Sequence, residues 1–212
     1  STLLSDISLV ICLEGLGNAN SINMHVSKPP KEGSAGHQFY THLSDVAKHI
    51  STKENKTVEM IHKKINLNDE LLSWEHERYS IRKLPGFTLS SFRGAQEPVR
   101  RSVLDREMNK ERLSENIRVI AEALMYFLYN ISDVEKGQQL IPDSWISANT
   151  VQPLSELLEQ YPRSAQALSK EHRLLTSLEL QMRAHLQEVK TTGLQADKRD
   201  PEFLSMTVSP SP

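Results

Sequence analysis

The apolar run at residues 7–13, Ile7-Ser8-Leu9-Val10-Ile11-Cys12-Leu13, passes directly into Glu14-Gly15-Leu16-Gly17. It is almost continuously hydrophobic, rich in β-branched side chains, and ends at glycines. That pattern predicts a strand buried on both faces at the centre of a sheet, with a carboxylate at its C-terminal end. Residues 22–26 alternate weakly and suit a shorter strand before the Lys28-Pro29-Pro30-Lys31-Glu32-Gly33 break. Further strands are expected at 57–65, with Val58, Met60 and His62 on one face, and at 87–91. A chain that opens on a central strand is expected to have sheet neighbours upstream. It should then be an internal piece with an exposed sheet edge and uncovered apolar helix faces.

Helical periods separate these strands. Phe39, Leu43, Val46, Ala47 and Ile50 recur at helical spacing. Ser73 is placed to cap a helix over 74–83, which Pro85 ends. The strongest stripe is Leu113, Ile117, Ile120, Ala121, Leu124, Phe127, Leu128 and Ile131. Alternating strands and helices predict an α/β fold, a three-layer sandwich around a mixed sheet. Composition turns polar over 133–150, which reads as a linker, and residues 151–160 and 163–189 are again helical. They suit a helical hairpin packed on the main domain, or a helix that binds a partner. The expected division is 1–132 as an α/β half-domain, 133–150 as linker, 151–190 as helical extension and 191–212 as a partly disordered tail.

Composition narrows the function. With 38% hydrophobic and 25% charged residues and a net charge of −2, the chain has no basic field suited to nucleic acid or an anionic membrane. No apolar run approaches the roughly 20 residues of a membrane span. The single cysteine excludes an internal disulfide framework and an all-cysteine zinc site, and Cys12 reads as a small buried hydrophobe. His37, His42 and His49 share one predicted helix without a metal-binding motif, and neither a nucleophile elbow nor a Walker loop is present. The sequons at Asn55 (Asn55-Lys56-Thr57) and Asn130 (Asn130-Ile131-Ser132) fall at element ends and favour a secretory-pathway lumen.

Residues 74–107 resemble the C-terminal part of co-catalytic zinc exopeptidases. Glu75-His76 stands at that group's Asp-His, Leu84-Pro85-Gly86-Phe87 at its strand entry, and Asp105 at the Asp of its His-(x)3-Asp-Thr turn. The zinc-binding His of that turn corresponds to Arg101, and slipping by one residue gives Arg100 or Ser102, neither of them a His. Glu14 stands where the resemblance places a metal-binding Asp. A guanidinium has no lone pair to offer a cation, so Glu14 and Arg101 read as vestigial ligand positions. No catalytic residue, metal or cofactor is expected. Glu75 and His76 remain candidate cleft residues, His76 in a hydrogen-bonding role.

A narrower resemblance comes from residues 25–33 (HVSKPPKEG), 62–67 (HKKINL), 74–90 (WEHERYSIRKLPGFTLS) and 196–203 (ADKRDPEF), with IAEAL and YNIS in the long helix. Together these look like the nicalin family, aminopeptidase-like relatives of nicastrin. The resemblance implies an aminopeptidase-like luminal domain, here its C-terminal part, in a non-peptidase glycoprotein of the endoplasmic reticulum membrane. It also implies assembly with the nodal modulator protein and a small multi-spanning membrane protein, with links to Nodal signalling and to membrane-protein insertion at the translocon. Where the resemblance expects an anchor to approach, the chain reads Leu204-Ser205-Met206-Thr207-Val208 and a Ser-Pro tail, so membrane attachment is expected through the parent protein's anchor. Two alternatives stay open: a divergent zinc aminopeptidase, and a module that binds a peptide or chain terminus on Glu75, His76 and Arg101.

Overall fold

Apolar and polar residues alternate in register across four short strands, and this divides the sheet into two unlike faces. The computed structural model describes residues 7–50, 56–69, 71–101, 108–131, 139–161, 172–186 and 189, without the side chains of Ile50 and Arg101. The strands are β1 (Val10–Glu14), β2 (Ile22–Val26), β3 (Val58–His62) and β4 (Gly86–Ser90). Their order is β1-β4-β2-β3; β1 runs parallel to β4 and β3 to β2, while β2 and β4 are antiparallel. Directly opposed residues point to the same side. Ile11, Phe87, Leu89, Met24 and Met60 therefore share one face, and Cys12, Glu14, Asn23, His25, Thr88 and Ser90 share the other.

The helices are α1 (Ala35–Ile50), α2 (His76–Ile81), α3 (Pro98–Arg101), α4 (Lys110–Leu128), α5 (Ala148–Leu158) and α6 (Arg173–His185). α1 and α4 pack against each other. They close the apolar face with Phe39, Leu43, Val46 and Ala47 from α1 and Val119, Ile120, Ala123 and Tyr126 from α4. α2 lies against β1 and β4 on the polar side. The fold is thus mixed α/β, with helices on both faces of an open four-stranded sheet.

Three expectations meet their outcome here. First, β1 forms where the apolar run predicts and ends on Glu14. Among the described residues it pairs only with β4 and so leaves the exposed sheet edge that was expected, but it is not buried on both faces, Leu13 being 56% exposed. The inner strands are β4 and β2, and all five residues of β2 are buried. An apolar run reports what its side chains avoid, not how many neighbours its backbone has. Second, Ser73 does not cap α2: Glu75 stands at the N-cap without a side-chain bond. The Ser73 amide instead donates to Glu77 Oε2 at 3.0 Å and its hydroxyl accepts from Lys63 Nζ at 3.3 Å. The bend this creates delivers Trp74 into the interior, where it is 2% exposed. Third, α4 spans 110–128 rather than 113–131. Asn109 caps it by accepting from the Arg112 amide at 2.8 Å, and Asn130 turns the chain away at φ 51°.

Residues 139–147, polar in sequence, lie against α4. Arg118 Nη2 donates to the carbonyl of Ile146 at 3.1 Å, and the fully buried Glu122 carboxylate accepts from the amides of Leu140 and Ile141 at 2.7–3.1 Å. A Ser147–Thr150 capping box then starts α5, which packs on α4. α6 buries none of its described residues. No helix among the described residues is long and apolar enough to cross a membrane.

Candidate functional site

The polar face of the sheet is buried, so each of its groups needs a partner. Asn23 Nδ2 donates to the carbonyls of Ser91 and Phe92, both at 3.2 Å, and His25 Nε2 donates to Phe92 O at 2.8 Å. A carbonyl only accepts, so His25 carries its proton on Nε2. The His25 ring stacks on Trp74 with centroids 3.9 Å apart, and the Arg100 guanidinium lies over the same indole at 4.3 Å. Arg100 then forks onto Glu14: Nε meets Oε1, Nη2 meets Oε2 at 3.0 Å, and Nη1 donates to Ala95 O at 3.2 Å. The result is a layered stack, His25–Trp74–Arg100–Glu14, with the Arg100 side chain only 7% exposed and that of Glu14 32%.

Glycine geometry makes the stack possible. Gly15 follows Glu14 at φ +57°, and a Cβ there would lie 2.2 Å from Phe92 Cε2. Gly15→Ala should therefore lose about 2 kcal/mol, from left-handed strain plus overpacking against the ring. A urea midpoint equal to that of the parent would show that the ring yields freely.

The sequence-derived candidates separate in space. Glu14 ends β1 as expected. Arg101 closes α3 with its side chain outside the described residues, as are Asp105 and Asn55. Arg100, one register away, fills the carboxylate. Glu75 and His76 part company: Glu75 is exposed at the head of α2, whereas His76 is 1% exposed, its Nδ1 hydrogen-bonded to Thr88 Oγ1 at 2.9 Å. The hydrogen-bonding role read for His76 is the one seen. Asn130 lies exposed in the turn after α4. Trp74 and His25 were not singled out as site residues. The available signal was Asn23 and His25 two apart in an otherwise apolar strand, which marks a buried polar face.

The donor set does not fit a metal ion. Both Glu14 oxygens are held by Arg100, the Nε2 proton of His25 is committed to a carbonyl, and no cluster of three His, Cys, Asp or Glu that could hold a metal occurs among the described residues. Cys12 adds neither ligand nor nucleophile: burial, with Glu75 nearby, pushes its thiol up to about 12, so it stays protonated at neutral pH.

Burial also holds both histidines below the usual range, His76 at about 4, with the neighbouring His25 adding to its depression. A histidine depressed in the folded state binds protons more readily when unfolded. Its contribution is therefore complete above about pH 6.5 and is lost as the pH falls toward the folded value. Between pH 7 and pH 5 His76 alone should remove about 2 kcal/mol. Urea melts at the two pH values measure this, and His76→Gln should flatten the difference. An unchanged pH slope in that variant would place the acid sensitivity elsewhere.

No family model matches the chain. A dog protein named BOS complex subunit NCLN is 40% identical over 214 residues, covering 96% of this chain and 37% of the dog protein. The zebrafish protein of that name is 36% identical over 226 residues, 96% of this chain and 39% of its own. A Caenorhabditis elegans protein named Nicalin is 33% identical over 130 residues, 60% of this chain and 22% of its own. The chain thus spans well under half the length of the curated relatives it matches.

Proposed function

Because this chain belongs to the nicalin family, we propose that it supplies a non-catalytic scaffold surface to a BOS complex, on the luminal side of the endoplasmic reticulum membrane. In this reading the open sheet and its two helical layers are part of an aminopeptidase-like three-layer sandwich, held in the membrane through an anchor of the parent protein. The observation that carries the proposal is the Glu14–Arg100 fork. A carboxylate at the end of the first strand, where the exopeptidase resemblance expects a metal ligand, is neutralised by a guanidinium. That guanidinium supplies the positive charge a cation would bring, but it has no open position at which to activate water. The relatives' name, a complex subunit, supports the same direction. Proposed partners are the nodal modulator protein and a small multi-spanning membrane protein, with roles in membrane-protein assembly at the translocon and in Nodal-type signalling.

The test is purification of the full-length protein from detergent-solubilised membranes. The expected result is co-purification of both partners at constant ratio, no stoichiometric zinc, and a glycosidase-sensitive mass shift removed by Asn130→Gln when Asn55 is also substituted. Recovery without partners would remove the scaffold reading. Zinc-dependent release of amino-terminal residues would install the divergent aminopeptidase in its place. The terminus-binding alternative rests on Glu75, His76 and Arg101; the Arg101 side chain lies outside the described residues, and Glu75 is exposed while His76 is 1% exposed.

A further inference from the structure

Residues 26–31, which follow His25 of the polar stack, build the wall of a cavity of about 660 Å³. The cavity lies where the N-terminal ends of β1 and β4 meet the C-terminal end of β2 and the start of α1. Its accessible apolar lining comes from Leu9 and Ile65, with Pro29 and Pro30 alongside, over a floor of the buried Met24, Val26 and Phe87. Its cations are Lys28, Lys31 and Lys83, all exposed. The size and the mainly apolar lining with a few polar groups are those of a small-molecule site.

Two further features point to an anionic head. Ser34, Ala35 and Gly36 bring the N-terminal turn of the 16-residue α1 to the cavity, adding outward amides and the positive end of its dipole to the lysines. The Ser27 hydroxyl, also lining the cavity, is buried without a hydrogen-bond partner, and such a group calls for an explanation. Lys83 reaches the cavity from the turn that ends α2, where it takes the left-handed φ of 63° and its amide donates to Ser80 O while that of Leu84 donates to Tyr79 O.

We propose that this cavity binds a single-chain anionic amphiphile as a monomer, its alkyl chain on the apolar wall and its carboxylate or phosphate among Lys28, Lys31, Lys83 and the start of α1. The proposal is independent of the scaffold reading. A cavity walled by sheet end, loop and helix suits one extracted chain better than a bilayer surface.

Calorimetric titration of the full chain with dodecyl phosphate below its micellar concentration tests it, with dodecanol and anionic phosphatidylserine vesicles as parallel probes. Saturable 1:1 binding of dodecyl phosphate is expected, with dodecanol and the Lys28→Ala/Lys31→Ala/Lys83→Ala variant each roughly tenfold weaker. The three lysines are exposed, so an unchanged urea melt should accompany the loss. Equal affinity for dodecanol would remove the anionic head from the proposal, and equal binding by the triple variant would remove the site. Binding to vesicles alone would replace the extracted monomer by a membrane surface. Absence of binding to any probe would overturn the inference.

Discussion

Arg100→Ala should cost about 3–4 kcal/mol of unfolding free energy, read as a lowered urea midpoint with little change in slope. Breaking a buried pair by removing one partner typically costs about 3–5 kcal/mol, because the other charge is left uncompensated. Here Glu14 keeps some contact with water, which reduces that penalty, while the lost stacking on Trp74 adds to it. Arg100→Lys should fall between the parent and the alanine variant, since an ammonium keeps the charge but can neither fork onto both Glu14 oxygens nor lie flat on the indole. The Glu14→Gln/Arg100→Met double variant should recover much of the loss by removing both charges together. If Arg100→Ala is silent, the pair is a surface contact and does not stand in energetically for a bound cation.

Glu122→Ala should be about as damaging, at roughly 4 kcal/mol, but more local. The carboxylate is 0% exposed and accepts from the amides of Leu140 and Ile141. Truncation leaves a buried donor at Ile141 and a half-buried one at Leu140 unsatisfied, at about 1–3 kcal/mol for the buried group and less for the other, and opens a cavity beneath them. Hydrogen exchange is the appropriate readout. Amides of Leu140, Ile141 and α5 should lose protection while those of β2 and β4 keep theirs. Glu122→Gln should retain part of the protection, because an amide oxygen still accepts although the assistance of charge is gone. Uniform loss across sheet and helices would instead make the segment an inseparable part of the core.

Both variants test contacts between residues far apart in sequence, and there the sequence was least legible. Arg100 and Glu14 are separated by 86 positions, and which of two adjacent arginines turns inward depends on how α3 meets the end of β1. The motif spacing points to Arg101, and the bidentate partner is its neighbour Arg100. The segment 139–147 was similarly opaque. Its polar composition reads as linker because the group that holds it, Glu122, lies on another element, where an acidic residue ordinarily faces solvent.

What the sequence determined by itself is everything that rests on local period and local chemistry. The four strands follow from apolar runs and their bounding residues and the stripes of α1 and α4 from spacing, because burying one face of a helix requires apolar residues at its own repeat. The end of β1 on Glu14 and the buried hydrogen-bonding role of His76 were legible on the same footing. So was membership of the nicalin family, carried by strings of particular residues. Only the tertiary structure decided that β4 and β2 are the inner strands, that Asn23 and His25 are buried, and that an arginine fills the carboxylate. Strand order and ion pairing are set by which surfaces meet, and a residue's own neighbours in sequence carry little information about a partner almost ninety positions away.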